Sequence, residues 1–384
     1  MKTLPSLLAI LIAHYACSGG AALGEDGVTD DLILVGQTCV LSGPTELQGR
    51  KVQNALRACF ERVNINRGIK GRKIKLKSMD DEYDEKKAGA AARKLIREEK
   101  VFLLLGGVGS VPSQAAWAVC EELGVPYLGP ITGAQELRLP SVRQAIHIRA
   151  SYYEETEALI KYLVDKKGME KIACFLASDS LGKSGAEGLE AALKRRGKST
   201  AITASYERQT IAIAPALVQI AAEHPQAVIA LGDFRGSSAF IKSARSHPDL
   251  KDAQLCCISV VGTASLMKEL AGEGDGVIIS QAVPSPWDES LPVVQEYLRD
   301  MKQIGQEERS FTSMEGYLAA RFFCAVLEKM EGEPTRAKFM EALEKTGTFD
   351  LGGFELHFGP QNHNGSSKVI LTVIKGSRAE KLAD

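Results

Sequence analysis

Two hydrophobic patterns alternate along most of this chain. Short apolar runs such as LILVGQT (32–38) and VFLLLGG (101–107) predict strands, and several are apolar at successive positions, as in parallel strands covered by helices on both faces. Amphipathic stretches follow these runs, for instance over 48–66 and 84–98, and predict helices. The alternation therefore predicts an α/β fold with doubly wound parallel sheets.

Two features predict two such sheets rather than one large sheet. The strand–helix alternation restarts after AIHIRASYYEET (145–156), and the proline-rich stretch QAVPSPWDES (281–290) ends it. Long amphipathic helices are predicted after that break, over 291–305 and 313–330. Because no Gly/Ser-rich linker occurs, we expect two lobes joined by short crossovers, with the chain passing between them more than once.

Composition narrows the function classes. The 384 residues include 47 basic and 48 acidic side chains, so nothing in the charge points to nucleic acid or an anionic membrane as a partner. Most of the eight cysteines lie in predicted helices or strands and are interpreted as buried core residues rather than a disulfide framework. We expect no metal site, since the nearest candidate pair, His357 and His363, is interpreted as part of a loop. The histidines are scattered without a nucleophile motif, so an enzyme is the weakest hypothesis, and no cofactor is expected.

The first residues are typical of an export signal. Lys2 precedes the short apolar stretch LPSLLAILIA and the small-residue region CSGGAALG, which predicts a signal peptide over 1–22, cleaved near Ala22. The apolar stretch is too short to span a bilayer. Two alternatives stay open: a lipid on Cys17, although His14 stands where a lipobox normally has leucine, or an N-terminal helix kept in the mature protein.

The stretch LLLGGVGSVPSQAAW (103–117) is the first candidate for chemistry. An apolar run ends in a glycine-rich turn, and a helix is predicted to open through Pro112 and Ser113, which presents backbone N–H groups to an anion. The turn lacks the Lys-Ser/Thr of a phosphate P-loop, and the next strand, VPYLGP, has no acidic residue at its end for a ribose. Two interpretations remain: a plain turn capped by Ser110 or Ser113, or a carboxylate site formed with the second turn GPITGAQELR.

The sequence resembles the leucine/isoleucine/valine-binding protein family, the type I periplasmic solute-binding proteins of ABC transporters. The resemblance is ordered along nearly the whole mature chain, through the segments ILVGQTCVLSGP, VNINRGIKGRKIKLKSMDDEYDEKKAGAAARKLI, GGVGSVPSQAA, GPITGAQELR, IRASYYEET, SDSLGKSGAEGL and LGDFRGSSAFIKSAR. It implies two lobes with a ligand between them and crossovers near Ala150, Gln281 and Gly365. Lobe 1 is then expected to comprise 28–149 and 282–365, and lobe 2 to comprise 150–281 and 366–384.

The resemblance also implies a set of ligand-binding residues. The ligand's carboxylate is expected at the turn matching Ser110 and at the turn Ile131, Thr132 and Gly133, where Thr132 is one place away from the family's usual hydroxyl. The other expected contacts are Gln48 from lobe 1, Tyr152, and Leu181, Asp233, Phe234 and Val261 from lobe 2. Alternatives stay open: Leu181 and Phe234 as simple core, and Tyr152 with Glu155 as a solvated helix start. The family's disulfide has no counterpart, because its positions match Tyr83 and Gly109.

One departure from the family concerns the ligand's ammonium group. The family's Glu-Gly matches Val261-Gly262 here, so the expected anion is replaced by an apolar side chain. Either Asp233 or Glu155 takes over, or the ligand has no ammonium there. We favour the second hypothesis, because Asp233 begins a turn where it can cap the next helix. Leucine, isoleucine and valine are then expected to bind poorly.

The resemblance thus predicts an exported solute-binding protein, a monomer, that closes on a small amino-acid-like, organic-acid or amide solute. It would deliver that solute to an ABC permease in the inner membrane. A second hypothesis is a sensory module of the same shape that reports its ligand to a signalling receptor.

Overall fold

The computed structural model describes residues 24–382, so the predicted export signal lies outside the described residues. The described chain forms two large sheets and one hairpin. The strands are β1 (Leu32–Cys39), β2 (Lys73–Asp80), β3 (Leu104–Leu105), β4 (Tyr127–Leu128), β5 (Ala145–Ile146), β6 (Ile172–Ala177), β7 (Ile202–Tyr206), β8 (Ala227–Leu231), β9 (Gln254–Cys257), β10 (Ile278–Gln281), β11 (Thr348–Asp350), β12 (Glu355–His357), β13 (Ile370–Lys375) and β14 (Arg378–Lys381).

Helices connect these strands on both faces of each sheet. Their bounds are α1 (Glu46–Ile65), α2 (Glu85–Arg97), α3 (Ser110–Leu123), α4 (Tyr152–Ile160), α5 (Ser180–Lys194), α6 (Ala214–Ala222), α7 (Phe234–Ser246), α8 (Thr263–Leu270), α9 (Pro292–Gln303), α10 (Phe311–Lys329) and α11 (Arg336–Thr346). A π-helical turn, Lys161–Lys166, continues α4, and a 3-10 turn, Ser259–Val261, precedes α8.

The first sheet, of lobe 1, has the strand order β2-β1-β3-β4-β5, and all its neighbours are parallel. The second sheet, of lobe 2, has the order β14-β13-β10-β9-β8-β6-β7. Its strands β6 to β10 are parallel, while β13 and β14 add an antiparallel edge. The predicted α/β fold with two doubly wound lobes is confirmed.

The chain crosses between the lobes at three places. It enters lobe 2 after β5, leaves it after β10 so that α9, α10 and α11 pack in lobe 1, and returns to pair β13 with β10. In lobe 1, α1 packs against α9 and α10. In lobe 2, alternate residues of β6 face opposite layers: Ala173 and Phe175 enter one apolar core, and Ile172 and Cys174 enter the other.

The helices predicted over 48–66, 84–98, 291–305 and 313–330 are present as α1, α2, α9 and α10, and each begins within two residues of the predicted start. The helix predicted to open through Pro112 and Ser113 is also present, but α3 already begins at Ser110, so both residues lie in its first turn. Gly109, with φ 91°, reverses the chain directly before it. Pro112 is tolerated in the first turn, where backbone N–H groups have no partner within the helix.

The structure also shows the state of the cysteines and whether a described helix could cross a bilayer. All cysteines within residues 24–382 are unpaired and buried, as core residues would be. Over the same residues, no helix combines the length and the apolar character that crossing a bilayer requires.

Candidate functional site

A cavity lies between the two lobes, at the carboxyl ends of the parallel strands, where ligands bind in open α/β sheets. Residues of both lobes line it. Lobe 1 contributes Thr45, Gln48, Tyr83, Val108, Gly109, Ile131, Phe311, Thr312 and Glu315, lobe 2 contributes Ala177, Asp179, Leu181, Arg208, Gln209, Asp233, Ser259, Val260 and Gln281, and Ala282 and Val283 belong to the crossover.

The lobes touch each other on two sides of this cavity. The Nε2 of Gln48, in α1, donates to the carbonyl oxygen of Val261 across the cleft, 3.3 Å away. The backbone N–H of Gln135 donates to Oγ of Ser184, in α5, at 2.9 Å. The lobes are therefore in a closed arrangement, with direct hydrogen bonds between them across the cleft.

The glycine-rich turn presents its backbone, not its hydroxyl, to the cavity. Gly109 lines the cavity, whereas the hydroxyl of Ser110 lies behind it and is fully buried. The Oγ of Ser110 is 2.8 Å from Oγ1 of Thr132 and 3.1 Å from the hydroxyl of Tyr152. The hydroxyls of Thr132 and Tyr152 are 3.2 Å apart, so the three form a closed triangle. Ser110 caps no helix, since α3 begins without a side-chain cap.

The second predicted turn behaves in the same way. Ile131 lines the cavity, and Thr132 is buried behind it in the hydroxyl triangle. Gly133 lies against α4: its carbonyl accepts from the N–H of Tyr152 at 2.8 Å, and a Cβ on Gly133 would be 2.4 Å from Cδ1 of Tyr152. Glycine is needed at 133 because the start of α4 approaches so closely.

The interpretation of Tyr152 and Glu155 as a solvated helix start is wrong, because both side chains are fully buried. Glu155 forms an ion pair with Arg149, also fully buried, at the first crossover. The same carboxylate accepts from the Ser259 N–H at 2.8 Å and from the Ser280 hydroxyl at 2.6 Å. Its oxygens are thus saturated, and it does not line the cavity.

The residues predicted from lobe 2 separate into two groups. Leu181 and Asp233 line the cavity, whereas Phe234 and Val261 pack in a lobe 2 core. Asp233 caps α7, its Oδ1 accepting from the N–H groups of Arg235 (2.8 Å) and Gly236 (3.1 Å). At 261 the side chain faces the core, and only its carbonyl reaches the cleft, where Gln48 donates to it.

Several cavity residues were not predicted from the sequence. Two carry carboxyl groups: Asp179, which caps α5 by accepting from the N–H of Gly182 at 3.1 Å, and Glu315, whose carboxylate lies 3.4 Å from Nη1 of Arg149. Burial raises the pKa of both carboxyl groups, with the charges of nearby arginines acting in the opposite direction. An N-cap pattern in SDSLG could have identified Asp179, but Glu315 lies mid-helix without any local signal.

Arg208, Thr45 and Tyr83 are three further polar side chains of the cavity lining that were not predicted as contacts from the sequence. Arg208 follows β7, and Thr45 precedes α1. Tyr83 reaches from lobe 1 towards lobe 2, where burial and the charges of Asp179 and Asp233 raise its pKa. The cleft therefore combines acidic groups with a single type of cation, an arginine guanidinium, among the lining residues.

The described residues offer no group of three or more His, Cys, Asp or Glu side chains that could hold a metal ion. Of the candidate pair, His357 is hydrogen-bonded to the hydroxyl of Thr348. His363 is hydrogen-bonded to the carboxylate of Glu344 at 3.0 Å.

Comparisons with known proteins give matches over most of the chain. A family model described as periplasmic binding protein matches residues 33–379. Leu/Ile/Val-binding protein homolog 7 of Brucella abortus is 25% identical over 357 residues, which cover 88% of each chain. The structure of a possible leucine/isoleucine/valine-binding protein from Rhodopirellula baltica matches with a TM-score of 0.85 and 30% identity, covering 94% of this chain and 98% of that one. A substrate-binding periplasmic protein from Ralstonia solanacearum matches with a TM-score of 0.84 and 27% identity, over 91% and 100% of the two chains.

Proposed function

Because this chain belongs to the periplasmic binding protein family, we propose that it is the solute-binding protein of an ABC transporter. It closes its two lobes on a small amino-acid-like, organic-acid or amide solute and delivers that solute to a membrane permease. We propose that the protein acts as a monomer in the periplasm, the compartment to which the family's name refers.

The observation that carries the proposal is the cavity that both lobes line together. A solute in this cavity contacts lobe 1 and lobe 2 at once only when the lobes are closed, so its binding favours the closed form. Moving the open-to-closed ratio from 1:99 to 99:1 takes about 5.5 kcal/mol of differential affinity. A few hydrogen bonds to charged groups, at about 1.5–3 kcal/mol each, are enough to supply that free energy.

Thermal unfolding with a panel of amino acids, organic acids and their amides tests the proposal. A solute present at 100 times its Kd is expected to add about 2.7 kcal/mol to the free energy of unfolding. Small-angle scattering with the same solute should show a smaller radius of gyration, as the lobes close. If no compound of the panel raises the melting temperature, and native mass spectrometry finds no retained small molecule, the proposal is wrong.

A matched pair of variants separates binding in the cleft from general stabilisation. Val260 lines the cavity and is partly exposed, so Val260→Trp should fill the cleft and abolish the solute-induced shift in melting temperature. Val218, on α6 and 66% exposed, is not one of the residues that line the cavity, and Val218→Trp should leave that shift unchanged.

A further inference from the structure

Three residues that line the cavity each carry a buried polar side-chain atom without a hydrogen-bond partner among residues 24–382. The atoms are Oγ1 of Thr45, Nη1 of Arg208 and Oε1 of Gln281. Thr45 is 3% exposed and Gln281 1% exposed. Since buried polar groups in native proteins are nearly always hydrogen-bonded, these three atoms are the groups of the cavity lining that a bound solute can satisfy.

The hydrogen-bond network fixes which atom of the Gln281 amide is left without a partner. The Nε2 of Gln281 is 2.9 Å from Oγ1 of Thr263 and 3.0 Å from Oγ1 of Thr372. The Thr372 hydroxyl donates its one hydrogen bond to the carbonyl of Ile279, at 3.0 Å. Its oxygen can therefore only accept from Gln281, so the atom of Gln281 next to it is an N–H donor. The free atom of the amide is therefore the oxygen, which accepts hydrogen bonds and cannot donate them.

Arg208 is held at the cleft by its own turn. The N–H of Thr210 donates to the carbonyl of Glu207 at 3.2 Å, and Arg235 donates to the carbonyl of Gln209 at 3.5 Å. This turn follows β7, so it belongs to the edge of the sheet that faces the cavity.

The two aspartates of the cavity lining, Asp179 and Asp233, accept hydrogen bonds from groups other than Arg208. Asp179 accepts from the N–H of Gly182, and Asp233 accepts from two backbone N–H groups of α7 and from the Tyr206 hydroxyl at 3.4 Å. Each carboxylate thus serves as a helix cap. Among residues 24–382, no hydrogen bond or ion pair joins Arg208 to either carboxylate, although its charge acts to lower the pKa of Asp179. The buried Nη1 of Arg208 therefore has no carboxylate partner within the protein and can bind an anion.

We infer that Arg208 binds the anionic group of the solute, that the Gln281 side-chain oxygen accepts a hydrogen bond from a donor elsewhere on the solute, and that Thr45 contacts the solute from lobe 1. The inference rests on the proposed function and names the solute class: a small organic anion that also carries a hydrogen-bond donor. That donor is a hydroxyl, an amide N–H or an ammonium group. In this arrangement the anion is held by lobe 2, while the hydroxyls of Ser110 and Thr132 are satisfied within the protein.

Calorimetry with matched series of probes tests this assignment. For carbon skeletons of three to seven carbons, each skeleton is presented as the plain acid, the 2-hydroxy acid, the 2-amino acid and the 2-amino amide. Within the best series, we expect the hydroxy or amino acid to bind about 10-fold or more tighter than the plain acid, and the amide to bind weakly. Comparing hydroxy with amino acids identifies the donor.

Variants then assign the anion contact to Arg208. Arg208→Gln should weaken binding of the best acid about 10- to 100-fold and remove the preference for acid over amide. Arg208→Lys keeps the positive charge but loses the forked geometry of the guanidinium, so its affinity for the acid should lie between those of the wild type and Arg208→Gln. This variant also tests the assignment if Arg208→Gln folds poorly. Arg195→Gln removes the same charge from an exposed pair with Glu157 on lobe 2, and should leave affinity unchanged.

The outcomes distinguish this inference from the proposed function. If the wild-type protein binds no probe of any series, the proposed function itself fails and takes the assignment with it. If it binds an acid and Arg208→Gln keeps both the affinity and the preference for acid over amide, only the assignment is wrong. Thr45→Val provides a second check, with an expected loss of about 10-fold in affinity.

Discussion

The ring of Tyr83 packs against the backbone of Gly109, so closely that a Cβ on Gly109 would be 2.3 Å from Cε2 of Tyr83. In the family resemblance described above, these two positions match the cysteines of that family's disulfide. In this chain the ring of Tyr83, in the loop after β2, packs on Gly109 directly before α3, and both residues line the cleft. The contact thus fixes part of the cavity wall by packing instead of a covalent bond.

Gly109→Ala is predicted to destabilise the protein. The new methyl group clashes with Tyr83, and φ at 109 is 91°, a conformation that disfavours alanine. Gly43→Ala is the matched control, since Gly43 also has a positive φ (83°) but no atom within 4 Å of its added Cβ. Urea unfolding should show Gly109→Ala to be less stable than Gly43→Ala by about 1–3 kcal/mol. Equal losses would show that the backbone conformation alone matters and that Tyr83 yields freely.

Glu155→Gln is predicted to be strongly destabilising, because it leaves the more distant Glu315 as the one carboxylate paired with the buried Arg149 within residues 24–382. Breaking a buried ion pair by removing one partner typically lowers the free energy of unfolding by about 3–5 kcal/mol. The control is Glu122→Gln, which removes an exposed pair with Arg93 and should change stability by no more than about 1 kcal/mol. Chemical denaturation measures both variants. A similar small effect for the two would contradict the role of the Arg149–Glu155 pair at the crossover.

Asp81 is predicted to make stability depend on pH. Burial raises the pKa of its carboxyl group to about 6, although the Tyr83 N–H (2.9 Å) and the Thr38 hydroxyl (3.0 Å) donate to it. Between about pH 4 and pH 6 the folded protein therefore holds a proton that the unfolded chain, with a pKa of about 3.9, has released. This group's contribution to stability falls as pH rises through that window, by up to about 3 kcal/mol, and is constant above it.

Asp81→Asn, which resembles the protonated form, isolates this effect. The stability of the wild type relative to the variant should fall from pH 4 to about pH 6 and then level off, as measured by urea unfolding at each pH. Asp30→Asn, at an exposed position, provides the control. Parallel pH profiles for wild type and Asp81→Asn would show that Asp81 is ionised throughout.

Ser110→Ala is predicted to act on folding more than on binding. The variant removes one corner of the buried triangle with Thr132 and Tyr152, so the free energy of unfolding should fall by about 0.5–1.5 kcal/mol. Solute affinity should change less than threefold, in contrast to Arg208→Gln. Calorimetry and denaturation of the same preparations check both effects. A loss of affinity as large as that of Arg208→Gln would restore the Ser110 hydroxyl to the carboxylate site that the family resemblance implies.

The elements of this fold were predictable because the information for them is local. The apolar run 32–38 and the amphipathic stretch after it already predict β1 and α1, and the break at 281–290 marks where the chain leaves the second sheet. The N-cap pattern at Asp233 is equally local, and the structure shows that cap. Family, fold class and two-lobe organisation follow from such segments taken in order.

Which side chains meet in the cleft was decided only by the tertiary structure. Ser110 and Thr132 were predicted as contacts from their turns. Each follows a residue that lines the cavity, Gly109 or Ile131, but its own hydroxyl lies behind the cavity wall and is hydrogen-bonded to Tyr152. Thr45 and Arg208 come from turns with no chemical signature, and they face one cavity because the two lobes close on each other. Periodicity reports burial within one element, whereas a site between lobes depends on contacts between residues far apart in sequence, which no local pattern encodes.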